Sequence, residues 1–379
     1  MERSILHLDM DSFFISVERL KNPDFNNKPL IVGGTSNRGV VASCSYEARK
    51  FGVHSAMPIR TAKQLCPDAI FIRGDMESYS NYSGIVTEII HENSPVYEKT
   101  SIDEFYVDVT GMDRFFGCYK WSTELRQKIQ KQTGLPVSFG LAVNKLISKI
   151  STNEAKPNGQ IQIPFGTEKG YIAPMDVSKI PMVGKKTASA LYSMGVRTVN
   201  TLSQIPILHL QKEFGEHGRT LWEKANAIDE SPVESYDEQK SISTETTFQE
   251  DTTDANAVKD KIIDMVQDLG FELRKLNKLT GCITIKIRYS DFNTFTRQRK
   301  IILSANDDNL IKIAKELFDQ LYERRQLIRL IGVRFSSLVS GSPQINLFED
   351  TAEKVSLYQA IDRIKLKHGT DMIKRAKGI

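Results

Sequence analysis

Two short acidic clusters hold the residues best suited to chemistry. In Ser4-Ile5-Leu6-His7-Leu8-Asp9-Met10-Asp11 the alternation places Leu6, Leu8 and Met10 on one face of a strand and His7, Asp9 and Asp11 on the other. A half-buried strand ending in carboxylates is expected. The second cluster, Ser101-Ile102-Asp103-Glu104-Phe105, runs into another strand-like stretch, Tyr106-Val107-Asp108-Val109. If the two strands are neighbours in one sheet, Asp9, Asp103 and Glu104 meet at one edge. Carboxylates crowded in this way repel one another unless a cation lies among them, and Mg2+ takes oxygen ligands of this kind. In a regular strand Asp103 and Glu104 face opposite ways, so both reach one metal only at a strand end or a bulge. The plainer expectation for Asp9 and Asp11 is that they end a strand and begin a turn.

A third candidate is the pair Tyr46 and Arg49. A phenol and a guanidinium three residues apart share one helical face and suit a phosphate tail, a solvated helix face being the alternative. The elements that must position these groups follow from punctuation and period. Residues 12–20 are helical and Asn22-Pro23 ends them; 28–34 form a strand closing in a glycine turn; 39–44 form a strand of small residues. Helices are expected over 79–91 and 121–132, a strand over 136–143, and a basic helix over 144–153 leading to Lys156. Strands and helices alternating in this way suit an α/β sheet domain.

The outer limits agree with a multidomain protein. The 379 residues, 40% hydrophobic, give a prior of two to four domains with ample core. A formal charge of +4 permits nucleic-acid binding without requiring it. Cys44, Cys66, Cys118 and Cys282 form no CxxC pair and no zinc spacing with histidine, as expected of reduced thiols in a cytoplasmic protein. The start leads directly into a strand and no apolar run approaches bilayer length, so neither export nor membrane insertion is expected.

Asp-Met-Asp-Ser-Phe-Phe at 9–14, Tyr-Glu-Ala-Arg-Lys-Phe-Gly at 46–52, Ser-Ile-Asp-Glu at 101–104 and Ala-Lys-Pro-Asn-Gly at 155–159 together resemble the successive motifs of Y-family translesion DNA polymerases, of the bacterial DNA polymerase IV type. The resemblance extends to about residue 348. It implies a multidomain α/β right-hand polymerase: an α/β palm (1–10 and 77–166), small fingers (11–76), an α-helical thumb with a helix-hairpin-helix (167–234), a linker (235–243) and a βαββαβ-like little finger (244–341). It further implies that Asp9, Asp103 and Glu104, with the Met10 carbonyl, hold two Mg2+ ions, and that Tyr46, Arg49 and Lys156 grip the β- and γ-phosphates of a deoxynucleoside triphosphate. Phe13 and Phe14 fall at the nucleotide, with Phe14 as the steric gate against a ribose 2′-hydroxyl; for both, and more so for Phe13, an ordinary core aromatic is the alternative. Val40, Ala42 and Ala56 match small residues that roof the templating base. Asp11 receives no such role and is expected to cap a helix.

Later segments extend the same resemblance. Residues 179–191 are similar to a helix-hairpin-helix in which Lys185 and Lys186 meet a DNA phosphate, although Met182 stands where the pattern has glycine. The polar stretch 229–244 is expected to be a linker. Beyond it come a strand, a helix over 255–276, and a strand in which Ile283, Ile285 and Ile287 alternate with Thr284, Lys286 and Arg288. The segment 294–300, a helix over 309–322 and a strand over 328–335 follow. Lys286, Arg288, Arg297 and Arg299 are candidate DNA contacts, protection of a sheet edge being the alternative. Gln344-Ile-Asn-Leu-Phe348 resembles the peptide by which bacterial polymerases bind the sliding clamp (β subunit), with Gln344, Leu347 and Phe348 as anchors in a terminal segment, 342–379. Val355, Tyr358, Ile361 and Ile364, with Lys365, Lys367, Lys374 and Arg375 nearby, predict a basic amphipathic helix after it.

The expected whole is a cytoplasmic, monomeric, low-fidelity DNA polymerase and nucleotidyltransferase. It would act on primer-template DNA and deoxynucleoside triphosphates in translesion synthesis. Two rivals stand beside it: a catalytically inactive relative serving as a DNA- or clamp-binding adaptor, and another two-metal enzyme with a palm-like sheet. The first should have lost acidic residues that are present here; the second would need neither the gate aromatic nor the hairpin and clamp peptide.

Overall fold

The computed structural model describes residues 3–34, 36, 38–112, 117–235, 238–322, 326–341, 351–369 and 372–373. The chain divides into two units, Met1–Asp237 and Glu238–Ile379.

In the first unit β1 (Ile5–Met10) is the middle strand of a five-stranded sheet, and every one of its residues is buried. The expected half-buried strand is therefore covered on both faces. Leu6, Leu8 and Met10 join a core with Val86, Ile89, Ile90, Leu125 and Ile129, supplied by helices Met76–Asn93 and Cys118–Thr133. On the other face His7 lies against helix Lys145–Ala155, where its Nδ1 is 2.9 Å from the Thr152 hydroxyl. Burial, with Lys149 adding to it, holds the His7 imidazole well below its usual pKa, so the ring is neutral.

The first unit contains three further pieces. β2 (Leu30–Gly33), β3 (Val41–Cys44) and β4 (Ile70–Ile72) form a small sheet in the order β3-β2-β4, with its own core around Ile31, Val41, Ala48 and Ile59. β5 (Tyr97–Lys99), β6 (Glu104–Asp108), β7 (Val137–Ala142) and β8 (Gln160–Gln162) complete the large sheet in the order β5-β6-β1-β7-β8. A group of helices including Lys185–Ser193, Val199–Gln204, Ile207–Phe214 and Glu216–Ala225 packs around Leu191, Leu202, Leu210 and Leu221. Among the described residues no helix is long and apolar enough to cross a membrane.

In the second unit β9 (Ser241–Thr252), β10 (Lys278–Tyr289), β11 (Thr294–Ser304) and β12 (Ile328–Ser340) form an antiparallel sheet in the order β11-β10-β12-β9. Helices Ala255–Lys275 and Asp307–Leu321 pack with Ile283, Ile285 and Ile287 in one core, so one face of the sheet is covered. The chain order is strand, helix, strand, strand, helix, strand. The expected linker is shorter than its composition suggests. β9 begins at Ser241, and upstream Asp229 accepts the Leu146 N–H at 2.9 Å while Val233 is buried with Ile5 and Tyr106.

The terminal helix Thr351–His368 docks on this unit. Arg274 on helix Ala255–Lys275 donates to both Asp362 oxygens at 2.7 and 3.0 Å, and the buried Tyr358 hydroxyl lies 3.2 Å from Asn306 Oδ1. Tyr358 is buried as its spacing suggested, whereas Ile364 is exposed. Gln344, Leu347, Phe348, Lys374 and Arg375 lie outside the described residues.

Met182 resolves one departure in the hairpin. Its φ of 74° is left-handed, a conformation that costs an L side chain about 1–2 kcal/mol, and its side chain is 79% exposed. The glycine-like turn is kept despite the side chain, with the Gly184 N–H donating to the Met182 carbonyl at 3.2 Å. Met182→Gly removes the strain at the expense of some backbone entropy and no packing, so a melting temperature raised by about 1–3 °C is expected in thermal unfolding. No rise would mean that the turn is relaxed as it stands.

Candidate active site

Asp9 is the last-but-one residue of β1 and lies opposite Glu104 of β6 on one side and Ser138 of β7 on the other. Directly opposed residues of an antiparallel pair point to the same face, so the Asp9 and Glu104 carboxylates share one side of the sheet. Asp103 is the residue just before β6, and the Met10 N–H donates to its carbonyl at 3.1 Å. This is the strand end that a shared site requires. Ser101 shapes it, donating its hydroxyl to Asp103 Oδ1 at 2.6 Å and accepting the Glu104 N–H at 3.0 Å. The Met10 side chain is buried in the core, which leaves only its backbone for ligation.

Two lysines pair with these carboxylates. Lys156 Nζ lies 2.5 Å from Asp9 Oδ1, and Lys149 Nζ lies 2.6 Å from Glu104 Oε2. Asp9 is only 4% exposed; burial, offset by Lys156 and reinforced by Glu104 and Asp103, holds its pKa up at about 7. Among the described residues no group of three or more His, Cys, Asp or Glu is gathered closely enough to hold a metal ion. The donor set nevertheless fits a hard divalent cation: the Asp9 and Glu104 oxygens on one face, a carboxylate pushed toward protonation chiefly by its burial, and ammonium groups already drawn to both acids. Lys149 was not singled out from sequence; the signal was its spacing from Lys145, which puts the two on one face of the helix that leads to Lys156.

Helix Tyr46–Arg49 is capped by Ser45, whose hydroxyl accepts the Ala48 N–H. The Arg49 guanidinium lies 4.7 Å from the Tyr46 ring centroid and donates to the Ser12 hydroxyl at 3.3 Å. Among the described residues the buried Tyr46 hydroxyl has no hydrogen bond of good geometry, although Ser12 lies near it, and burial raises its pKa to about 12, so it remains a donor. Ser12, at φ 44° and ψ 50°, turns the chain sharply from β1 into helix Phe13–Lys21. There the two aromatics part. Phe13 is 2% exposed within the core, so its side chain cannot meet a nucleotide and only its backbone could. Phe14 is partly buried and stacks on Tyr79, centroids 4.2 Å apart and planes 13° apart. Val40, Ala42 and Ala56 are all exposed on the small sheet and its turn.

Asp11 does not cap the following helix. Its carboxylate accepts the Ser138 hydroxyl at 2.8 Å and the Asn158 N–H at 2.7 Å, because the turn at Ser12 leaves it directed back at β7.

Elsewhere in the unit, Lys185 and Lys186 are exposed at the start of helix Lys185–Ser193. In the second unit the four candidate charges split. Lys286 and Arg288 oppose Thr296 and Thr294 on the open face, whereas Arg297 and Arg299 oppose Ile285 and Ile283 and so lie on the helix-covered side. There Arg299 pairs with Glu316 at 2.7 Å and Arg297 donates to the Gln320 carbonyl. Lys286 reaches Glu245 at 2.7 Å past Gly332, which puts no side chain between them. Arg334 and Lys300 also lie on the open face and are exposed; their register with β10, not their local sequence, puts them there.

Comparison with known proteins shows the family. The sequence model of the impB/mucB/samB family matches residues 8–153, that of its C-terminal domain matches 239–347, and a thumb-domain model described for DNA polymerase-iota matches 178–229. A DNA polymerase IV from Dehalococcoides mccartyi is 38% identical over 379 residues, covering 99% of this chain and 97% of that protein. This chain belongs to the Y-family of DNA polymerases. Another such relative, from Desulfatibacillum aliphaticivorans, is 35% identical over 99% of this chain and 96% of its own. Among solved structures, a Y-family DNA polymerase chimera superposes with a TM-score of 0.81 at 27% identity, covering 89% of this chain and 100% of its own. An insertion ternary complex of Dbh DNA polymerase gives 0.65 over the same shares. The Y-family architecture therefore accounts for the large α/β sheet, the hairpin-bearing helices and the βαββαβ unit together.

Proposed function

We propose that this Y-family polymerase extends a primer on damaged template DNA by two-metal nucleotidyl transfer, with low fidelity and with the sliding clamp as its tether. The observation that carries the reading is Asp9 facing Glu104 across the β1–β6 pair, with Asp103 at the strand end beside them. Asp9, Asp103, Glu104 and the Met10 carbonyl would hold two Mg2+ ions, which when bound favour ionisation of the primer 3′-hydroxyl and neutralise the departing pyrophosphate. Lys156, Arg49 and the buried Tyr46 hydroxyl supply donors and positive charge for the β- and γ-phosphates, where the leaving group develops charge. The N–H groups of Phe13 and Phe14, at the start of their helix, add to that anion site. Exposed small side chains at Val40, Ala42 and Ala56 support a roomy pocket over the template base, and looseness there lowers discrimination.

Phosphate contacts by Lys185, Lys186, Lys286 and Arg288 would hold the duplex without reading sequence. Arg297 and Arg299, drawn to helix Asp307–Leu321, would contribute only to the edge of that surface. Gln344, Leu347 and Phe348 would dock on the clamp, and the protein would work as a cytoplasmic monomer.

Primer extension on an undamaged and an abasic template tests this reading. Synthesis in Mg2+ and none in EDTA is expected, and its absence in Mg2+ would favour an inactive adaptor. Joint replacement of Gln344, Leu347 and Phe348 by Ala should leave distributive synthesis intact and abolish clamp stimulation. Stimulation that survives would remove the clamp from the proposal.

A further inference from the structure

Asp11 is a buried carboxylate to which the proposed chemistry gives no task. It is 1% exposed, and among the described residues its side-chain hydrogen bonds come from neutral donors only, the Ser138 hydroxyl at 2.8 and 3.0 Å and the Asn158 N–H at 2.7 Å. Burying an anion on such terms is costly, and a neutral side chain would hold a fold together more cheaply.

What Asp11 joins is specific. Its backbone N–H donates to the Pro136 carbonyl at 2.9 Å, and its carbonyl accepts the Ser16 hydroxyl at 2.7 Å on the helix that carries Phe14. Its carboxylate meets the turn 156–159, two residues after Lys156. That turn is held from its other side as well. Arg126 Nη2 donates to Asn158 O and Oδ1, both at 2.7 Å, and Gln130 donates to the same Oδ1 at 2.6 Å. Asn158 has a left-handed φ of 50°, and a Cβ at Gly159 would stand 2.0 Å from the Ala155 carbonyl oxygen, so the turn has little freedom to shift as a body. Ser138, bonded to Asp11, also accepts the Gly159 N–H at 3.2 Å.

We propose that Asp11 is a positioning residue that sets Lys156 against the nucleotide triphosphate, by bolting the Asn158 turn to the end of the strand that carries Asp9. The proposal rests on the reading of Lys156 as a phosphate contact. One carboxylate thus fixes the spacing between the acid edge, the triphosphate lysine and the gate helix. A phosphate contact misplaced by an ångström loses much of its effect in the transition state.

Steady-state incorporation on full-length protein tests this through a double-mutant cycle. Asp11→Ala should raise the KM for the incoming deoxynucleotide about tenfold, with primer-template affinity within about twofold of the parent. Asp11→Asn, whose amide oxygen can still accept the Asn158 N–H, should recover most of the loss. In a Lys156→Ala background the same Asp11→Ala change should alter KM by less than about twofold, because the group it positions is gone. Arg126→Met, which frees Asn158 from the other side and also releases the Val137 carbonyl and the Gln160 side chain, should behave like Asp11→Ala if the latter folds poorly. Full additivity between Asp11→Ala or Arg126→Met and Lys156→Ala would overturn the proposal while leaving Lys156 at the triphosphate. An unchanged KM in Lys156→Ala alone would remove that reading and the proposal with it.

Discussion

Asp9→Asn should abolish primer extension, by a factor on the order of 10³ or more, and at the same time make the metal-free protein more stable at alkaline pH. Both effects come from one carboxylate. Burial lifts the Asp9 pKa from 3.8 to about 7, so between those values the folded protein holds a proton that the unfolded chain has released. The Asp9 contribution to stability is therefore greatest in acid, falls as pH rises through that window, and stays low above pH 7, where the buried group is ionised. An asparagine does not ionise and escapes this loss, while Lys156, 21% exposed, can turn to water. Melting temperatures of variant and parent should nearly coincide at pH 4, differ by an intermediate amount at pH 5, and differ by about 3–6 °C in favour of Asp9→Asn at pH 8. Millimolar Mg2+ should close part of that gap by stabilising only the parent, since a ligand that binds the native state alone raises its stability. A variant less stable than the parent at pH 8 would mean that the Lys156 pair outweighs desolvation, and would weaken the case for a poised metal site.

The same edge shows what sequence alone conveys and what it does not. The pairing of Asp9 with Glu104, with Asp103 at the strand end beside them, was legible because strand alternation fixes facing and because two acidic strand ends have few ways to be neighbours. Asp11 was misread for a physical reason. An acidic residue just before a helix has the local signature of a cap, and its actual partners, Ser138 and Asn158, lie 127 and 147 residues away. Arg297 and Arg299 illustrate the same limit in a sheet. Their alternation put them on one face, but only the pairing of Arg297 with Ile285 reveals that it is the covered one. Only the first residues of β9, 241–244, were read as linker, because the start of an edge strand with one polar face has a linker's composition. Domain order, by contrast, was carried by motifs spread along the chain, each of which needs its own supporting elements.

Phe14→Ala should admit ribonucleotides, raising their incorporation relative to deoxynucleotides about 10²-fold while slowing deoxynucleotide insertion far less. A steric gate works only if the blocking ring cannot move aside, and the surroundings of Phe14 meet that condition. Its ring is stacked on Tyr79, which is fully buried and donates its hydroxyl to Glu18 at 2.8 Å on the same helix as Phe14. Glu18 lies 3.5 Å from Lys21, which in turn reaches Asp75, the cap of the helix that carries Tyr79. The ring is thus held by a closed circuit of contacts between two helices, and a 2′-hydroxyl would meet a wall with no low-energy way to yield. Phe13→Ala is the control. Phe13 belongs to the core, so its truncation should cost about 3–5 kcal/mol of stability and leave sugar selection unchanged. Kinetics of single ribonucleotide and deoxynucleotide insertion decide the matter: equal discrimination in Phe14→Ala and parent would remove this ring from the nucleotide site, and altered discrimination in Phe13→Ala alone would transfer the role to its neighbour.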